Sequence, residues 1–188
     1  MSIVADRPAT KIPSGKIPSG TWSIDPVWSA LEFEVKKIGL INVKGRVLGF
    51  TGTIRGGERP SIEGTVDVSS ITTFDETRDG HVQSPDFFDV ARYPELRFES
   101  ASVETDGDEL VVQGDLTIKG VTKPVQLRGG FLGTGTDPMG NERIALELSG
   151  TIDRTDFGLN WNAPLPSGGF LLPNEVVLKA SFAAVKAG

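Results

Sequence analysis

LEFEVK, residues 31–36, decides the reading of this chain. Leu31, Phe33 and Val35 alternate with Glu32, Glu34 and Lys36. Successive side chains of an extended backbone point to opposite faces, so this is a strand with one dry and one wet face. The same period spreads outward. Residues 43–55 are rich in β-branched residues and glycine, with Gly45, Gly49 and Gly52 placed to bend or bulge a sheet. Gly56 and Gly57 allow a reversal, after which Ile62, Gly64, Val66 and Val68 alternate with Glu63, Thr65 and Asp67. Residues 96–104 and 109–119 flank TDGD, where Asp106 and Gly107 suit a hairpin turn. Residues 125–132 and 142–153 flank a turn at Pro138 and Gly140, and 175–185 form a last strand. The period fails in two places. Residues 72–94 carry a short helix near 76–84 and a loop, and residues 154–173 form an irregular segment.

Eight strands joined mostly by hairpin-length links must run antiparallel, because a parallel pair needs a crossover of about a dozen residues. Closing the sheet into a barrel buries the dry faces and removes the edges. A two-sheet sandwich is the alternative that the pattern leaves open. The fold class is therefore all-β, an eight-stranded antiparallel barrel with a short helix and irregular segments between strands. A chain of 188 residues fits one domain. KIPSG occurs twice in tandem, at 11–15 and 16–20, and residues 1–20 read as a flexible tail ahead of the barrel domain, 21–188.

Composition excludes several functions. A formal net charge of −6 argues against nucleic acid or an anionic membrane as the main partner. The absence of cysteine removes disulfides, thiolate metal sites and thiol nucleophiles. His81 is the only histidine, and its spacing to Asp79, Asp86 and Asp89 matches no metal-ligand set, so no metal is expected. No nucleophile-elbow pattern is present, so no catalytic residue is assigned. Asp153, Arg154 and Asp156 read as a local ion-pair and capping cluster. No apolar run is long enough for a secretory signal or a membrane span, which leads to the expectation of a cytoplasmic protein without stable membrane insertion.

Four stretches carry a resemblance: TWSIDPVWSALEFEVKKIGL at 21–40, RDGHVQSPDFFDVARYPELRFES at 78–100, GDLTIKGVTKPV at 114–125 and DRTDFGLNW at 153–161. In this order and spacing the chain resembles the YceI-like family of bacterial lipocalin-fold, polyisoprenoid-binding proteins. The resemblance implies a lipocalin-like barrel whose lumen takes an isoprenoid quinone, a prenyl phosphate or a similar lipid, with no other cofactor. Relatives in that family often pair as homodimers and many carry an export signal. This sequence departs from the family at Trp28 and Lys37, where a histidine is usual or frequent.

A hydrocarbon offers few hydrogen bonds, so its binding comes from removing apolar area from water, roughly 0.8 kcal/mol per CH₂. The functional question is whether the strands leave room inside the barrel. The inward candidates are Phe33, Val35, Val47, Phe98, Leu116, Phe131 and Leu148, with Phe50 beyond a bulge. From the irregular segments, Phe88, Phe157, Trp161 and Phe170 are expected to line or cover an opening, and Trp28 to plug the lumen if it points inward. Arg78, His81, Arg92 and Arg154 are the head-group candidates, since a buried anion needs a charged partner. Two other functions stay open: an enzyme acting on a bound isoprenoid through Asp79, His81 or Asp86, and a protein-interaction module with a filled barrel.

Overall fold

The computed structural model describes residues 15–188. Eleven strand segments build one closed ring. The first strand is β1 (Gly20–Ile24) and β2 (Ala30–Lys37), interrupted at 25–29. The second is β3 (Ile41–Val47) and β4 (Phe50–Gly56), interrupted at Leu48 and Gly49. The third is β5 (Ser61–Asp67) and β6 (Ile71–Thr72), joined through the 3₁₀ turn Val68–Ser70. Five unbroken strands follow: β7 (Glu95–Asp106), β8 (Glu109–Ile118), β9 (Val121–Thr136), β10 (Glu142–Asp153) and β11 (Glu175–Lys186). Every pairing is antiparallel. β1 pairs with both β4 and β11, and that double pairing closes an eight-stranded barrel and removes the sandwich alternative.

The breaks have local causes. Gly49 N–H donates to Ser70 Oγ at 2.8 Å and Leu48 N–H to Ser70 O at 3.3 Å, so the backbone leaves the ladder there. β3 then pairs with β6 while β4 pairs with β5. Gly45 stays within its strand for a different reason: a Cβ there would lie 2.0 Å from the Phe33 ring, which is folded flat against the backbone opposite. The helix α1 (Glu76–Gln83) falls where the sequence predicts it, and its first turn is capped by Asp75, whose side chain accepts from Arg78 N–H at 2.8 Å.

Two expectations need correction. β1 is not among the strands that the alternation marks out, yet Trp22 and Ile24 are buried while Thr21 and Ser23 are exposed. Residues 16–20, expected in the tail, also pack on the barrel. Ile17, in the second KIPSG, is 3% exposed and belongs to the barrel's core. Its carbonyl accepts from Gly57 N–H at 3.2 Å, and Pro18 O accepts from Trp22 Nε1 at 3.1 Å. Residues 11–14 of the first repeat lie outside the described residues.

The barrel's two ends differ. Around the hairpin turns at 57–60, 107–108 and 137–141 the interior is solid, with Ile54, Val112, Ile144 and Leu146 fully buried. Arg143 ties this end together. Its Nε donates to Asp137 and its Nη1 to Asp25, each at 2.8 Å, and its guanidinium lies 4.2 Å over the Trp28 ring. The Asn141 side chain and N–H, together with Arg143, hold the Asp137 carboxyl far below the ordinary aspartate range, and Arg143 does the same more mildly for Asp25. Both carboxyls are lowered in the folded state, so the clamp stabilises the fold above the ordinary aspartate value of about 3.9, and its contribution is lost as pH falls through the depressed values. Thermal melts should therefore shift to lower temperature as pH drops below about 4, and Asp137→Asn should flatten that shift while lowering the melting temperature at neutral pH. An unchanged pH profile in the variant would remove the clamp from the account.

Candidate functional site

Above the solid end the barrel is hollow. A cavity of about 590 Å³ occupies the other half, and its lining is overwhelmingly apolar. Phe50, Leu148 and Phe182 form the part nearest the packed core. The wall comes from inward residues of the strands, among them Leu31, Phe33 and Val35 of β2 and Val176, Leu178 and Ala180 of β11. The two irregular segments make a roof. Thr73, Arg78, His81, Val82, Phe87 and Phe88 come from one, and Arg154, Leu159, Trp161, Leu171 and Leu172 from the other.

The cavity brings together Phe33, Val35, Val47, Phe50, Phe88, Phe98, Leu116, Leu148 and Trp161, along with Arg78, His81 and Arg154. Five other candidates lie elsewhere. Trp28 is 56% exposed and stacks on Arg143 at the solid end, because the break at 25–29 carries it outside the ring; it plugs nothing. Phe131 faces inward but at the packed end, opposite the fully buried Leu146 across a β-bulge. Phe157 sits in the 3₁₀ turn Arg154–Phe157 and is 1% exposed, packed on Leu116, Ile118, Ile152 and Leu159 in a second core cluster rather than on the cavity. Phe170 follows Gly168 and Gly169, both in left-handed conformation, and the turn leaves it exposed. Arg92 is an exposed cation 3.8 Å from Asp89 and 5.4 Å from the Tyr93 ring. Of the two departures from the family pattern, Lys37 does border the cavity and Trp28 does not.

The strand β11 supplies wall residues that are not among the inward candidates named above. Val176, Leu178, Ala180 and Phe182 repeat at period 2 and all line the cavity, a signal as plain as that of residues 31–36. Leu171 and Leu172 carry no such signal. They reach the roof because Ile38 N–H donates to Leu171 O and because Asn162 accepts from Leu172 N–H and donates to Leu172 O.

The polar groups of the roof hold it in place. Asp79 accepts from Thr73 N–H and Oγ1 at 2.6 Å each and from Thr72 Oγ1 at 2.7 Å. Burial alone would raise its carboxyl, but these hydrogen bonds and the nearby Arg78 outweigh burial and keep it below the ordinary range. Asp79 is thus an ionised acceptor with three of its roughly four lone-pair sites occupied, which is poor preparation for a general base. Arg78 donates to Thr73 through Nε and Nη2, both at 2.7 Å. His81 joins the two segments: its Nε2 is 2.9 Å from Asp86, and its ring meets Trp161 edge-on at 4.5 Å and Phe87 at 5.0 Å. Asp153 caps the 3₁₀ turn by accepting from Thr155, and it makes no ion pair with Arg154, so only the capping half of that expected cluster is present. Among the described residues no group of three histidine, cysteine or acidic side chains converges, and no helix is long and apolar enough to cross a membrane.

Residues 22–184, nearly the whole barrel, match the YceI-like domain. The chain belongs to the YceI-like family. Protein YceI of Escherichia coli O157:H7 is 38% identical over 133 residues, covering 69% of this chain and 70% of that protein. Among solved structures, this YceI-like barrel is similar to Burkholderia cenocepacia BcnA, with a TM-score of 0.73 at 22% identity over 85% of this chain and 98% of that one. It is also similar to a polyisoprenoid binding domain from Saccharophagus degradans implicated in plant cell wall breakdown, with a TM-score of 0.66 at 19% identity over 88% and 98% of the two chains. At those identities the likeness speaks for the fold.

Proposed function

We propose that this YceI-like chain binds one long apolar lipid, of the isoprenoid quinone or prenyl phosphate class, inside its barrel and carries or sequesters it without chemical change. The observation that carries this reading is the hollow itself. An interior that is close-packed at one end stays open over about 590 Å³ at the other, within the size range of small-molecule pockets. An unfilled apolar void forfeits dispersion contacts along its whole lining, so a hydrocarbon is its natural content. Taking roughly 30 Å³ per CH₂-sized group, the volume of one liquid water, the space corresponds to about twenty carbons. Gripping it needs no directional bonds, since each CH₂ removed from water contributes roughly 0.8 kcal/mol.

The isoprenoid class is favoured by family membership and by the shared fold of the Saccharophagus degradans domain. The non-catalytic reading is favoured by the Asp79 carboxylate and His81 Nε2, which are engaged in holding the roof. Native mass spectrometry of gently purified protein, with organic extraction of its contents, is expected to show one isoprenoid or comparable lipid per chain. Protein that purifies empty and takes up no prenyl lipid or quinone on incubation would count decisively against the reading.

A further inference from the structure

Arg154 is the least ordinary residue of the cavity. It is 4% exposed, among apolar neighbours, in the turn that follows β10. A guanidinium has five N–H donors and no acceptor. Nε donates to Pro173 O at 2.8 Å, and Nη1 donates to Trp161 O at 2.9 Å and to Leu159 O. These carbonyls consume three donors and supply no negative charge. Nη2 has no acceptor among the described residues, yet no partnerless side-chain nitrogen there is sealed from access. Arg154 is one of the residues that line the cavity. The closest acidic residue in sequence, Asp153, spends its hydrogen bonds on Thr155 and acts on Arg154 only through space, too little to offset the burial that lowers the Arg154 pKa.

A buried charge is ordinarily paired, because leaving water costs far more than carbonyl dipoles return. The partner that would cancel this charge is an anion, and the cavity that Arg154 lines has room for one. We propose that Arg154 Nη2 anchors the anionic head group, a phosphate monoester or a carboxylate, of the lipid that fills the cavity; this rests on the lipid-binding reading above. Any acceptor makes a charge-assisted hydrogen bond to the guanidinium, but only an anion also cancels its charge. Arg78, on the same roof, adds a second cation at the cavity's edge. The ligand therefore has a polarity: head at the roof, chain directed toward Phe50 and Leu148.

The test compares matched probes on full-length, delipidated protein by fluorescence displacement: geranylgeranyl monophosphate against geranylgeraniol, and arachidic acid against arachidyl alcohol. At least one anion is expected to bind roughly tenfold or more tightly than its alcohol. Preference in the prenyl pair points to a phosphate ligand, preference in the saturated pair to a fatty acid, and in Arg154→Gln the favoured ratio should fall to near one. Alcohols that bind as well as anions in the unmodified protein would overturn the proposal while leaving the lipid-binding reading intact, and this comparison stands even where Arg154→Gln does not fold. A preference that persists undiminished in a folded Arg154→Gln also overturns it. Binding of none of the four probes sinks the lipid-binding reading itself.

Discussion

Ala180→Trp should empty the barrel without unfolding it. Ala180 sits on β11, paired with Leu148 on one side and Leu31 on the other, and its small side chain faces the cavity. An indole placed there displaces about four CH₂-sized groups of ligand, roughly 3 kcal/mol at 0.8 kcal/mol each, or on the order of a hundredfold in affinity. Overpacking normally destabilises because a close-packed core has nowhere to put the added atoms. Here the space exists, so melting should stay cooperative and close to that of the unmodified protein. Native mass spectrometry would then show a folded protein lacking its lipid. Full retention of the same lipid in the variant would place the ligand outside this cavity.

The largest loss of stability is expected from Phe157→Ala. The ring is 1% exposed and forms the centre of the second core cluster, which joins β8, β10 and the turn beyond β10. Deleting a buried phenyl group costs about 3–5 kcal/mol, the transfer term plus the cavity left behind. For a chain of this size that corresponds to a fall in melting temperature of roughly 2–4 °C per kcal/mol. The cluster includes Leu159, which also belongs to the roof. Faster hydrogen exchange in 154–173 is therefore expected as well. A variant that melts like the unmodified protein would remove Phe157 from the residues that hold the core together.

Much of the site was legible in advance, and for a simple reason. In a strand, side-chain direction follows residue parity, so Phe33, Val35, Val47, Phe98, Leu116 and Leu148 could be assigned to the inside from spacing alone. Parity does not tell how high along the barrel a residue sits. Phe131 faces inward like Phe98, but the register of β9 against β10 puts it at the packed end, among the barrel's own side chains. Outside the strands even parity is lost. Phe157, Trp161 and Phe170 look alike as aromatic residues of one irregular segment, yet one is core, one is roof and one is exposed. A 3₁₀ turn, the contact with His81 and a pair of left-handed glycines decide among them.

The amino-acid sequence by itself determined the local conformations and their hand: which segments are extended, which face of each is dry, where the chain reverses and where the helix lies. It also determined that these strands run antiparallel, since alternation and short links are local properties. Only the tertiary structure decided that β1 closes the ring, that Ile17 docks into it, that one half of the interior is filled while the other stays hollow, and that Arg154 is buried with carbonyl oxygens, and no salt bridge, as its partners. Each of these is a sum over residues far apart in the chain. Volume left over and charge left unpaired are properties of the assembled interior, not of any segment that contributes to it.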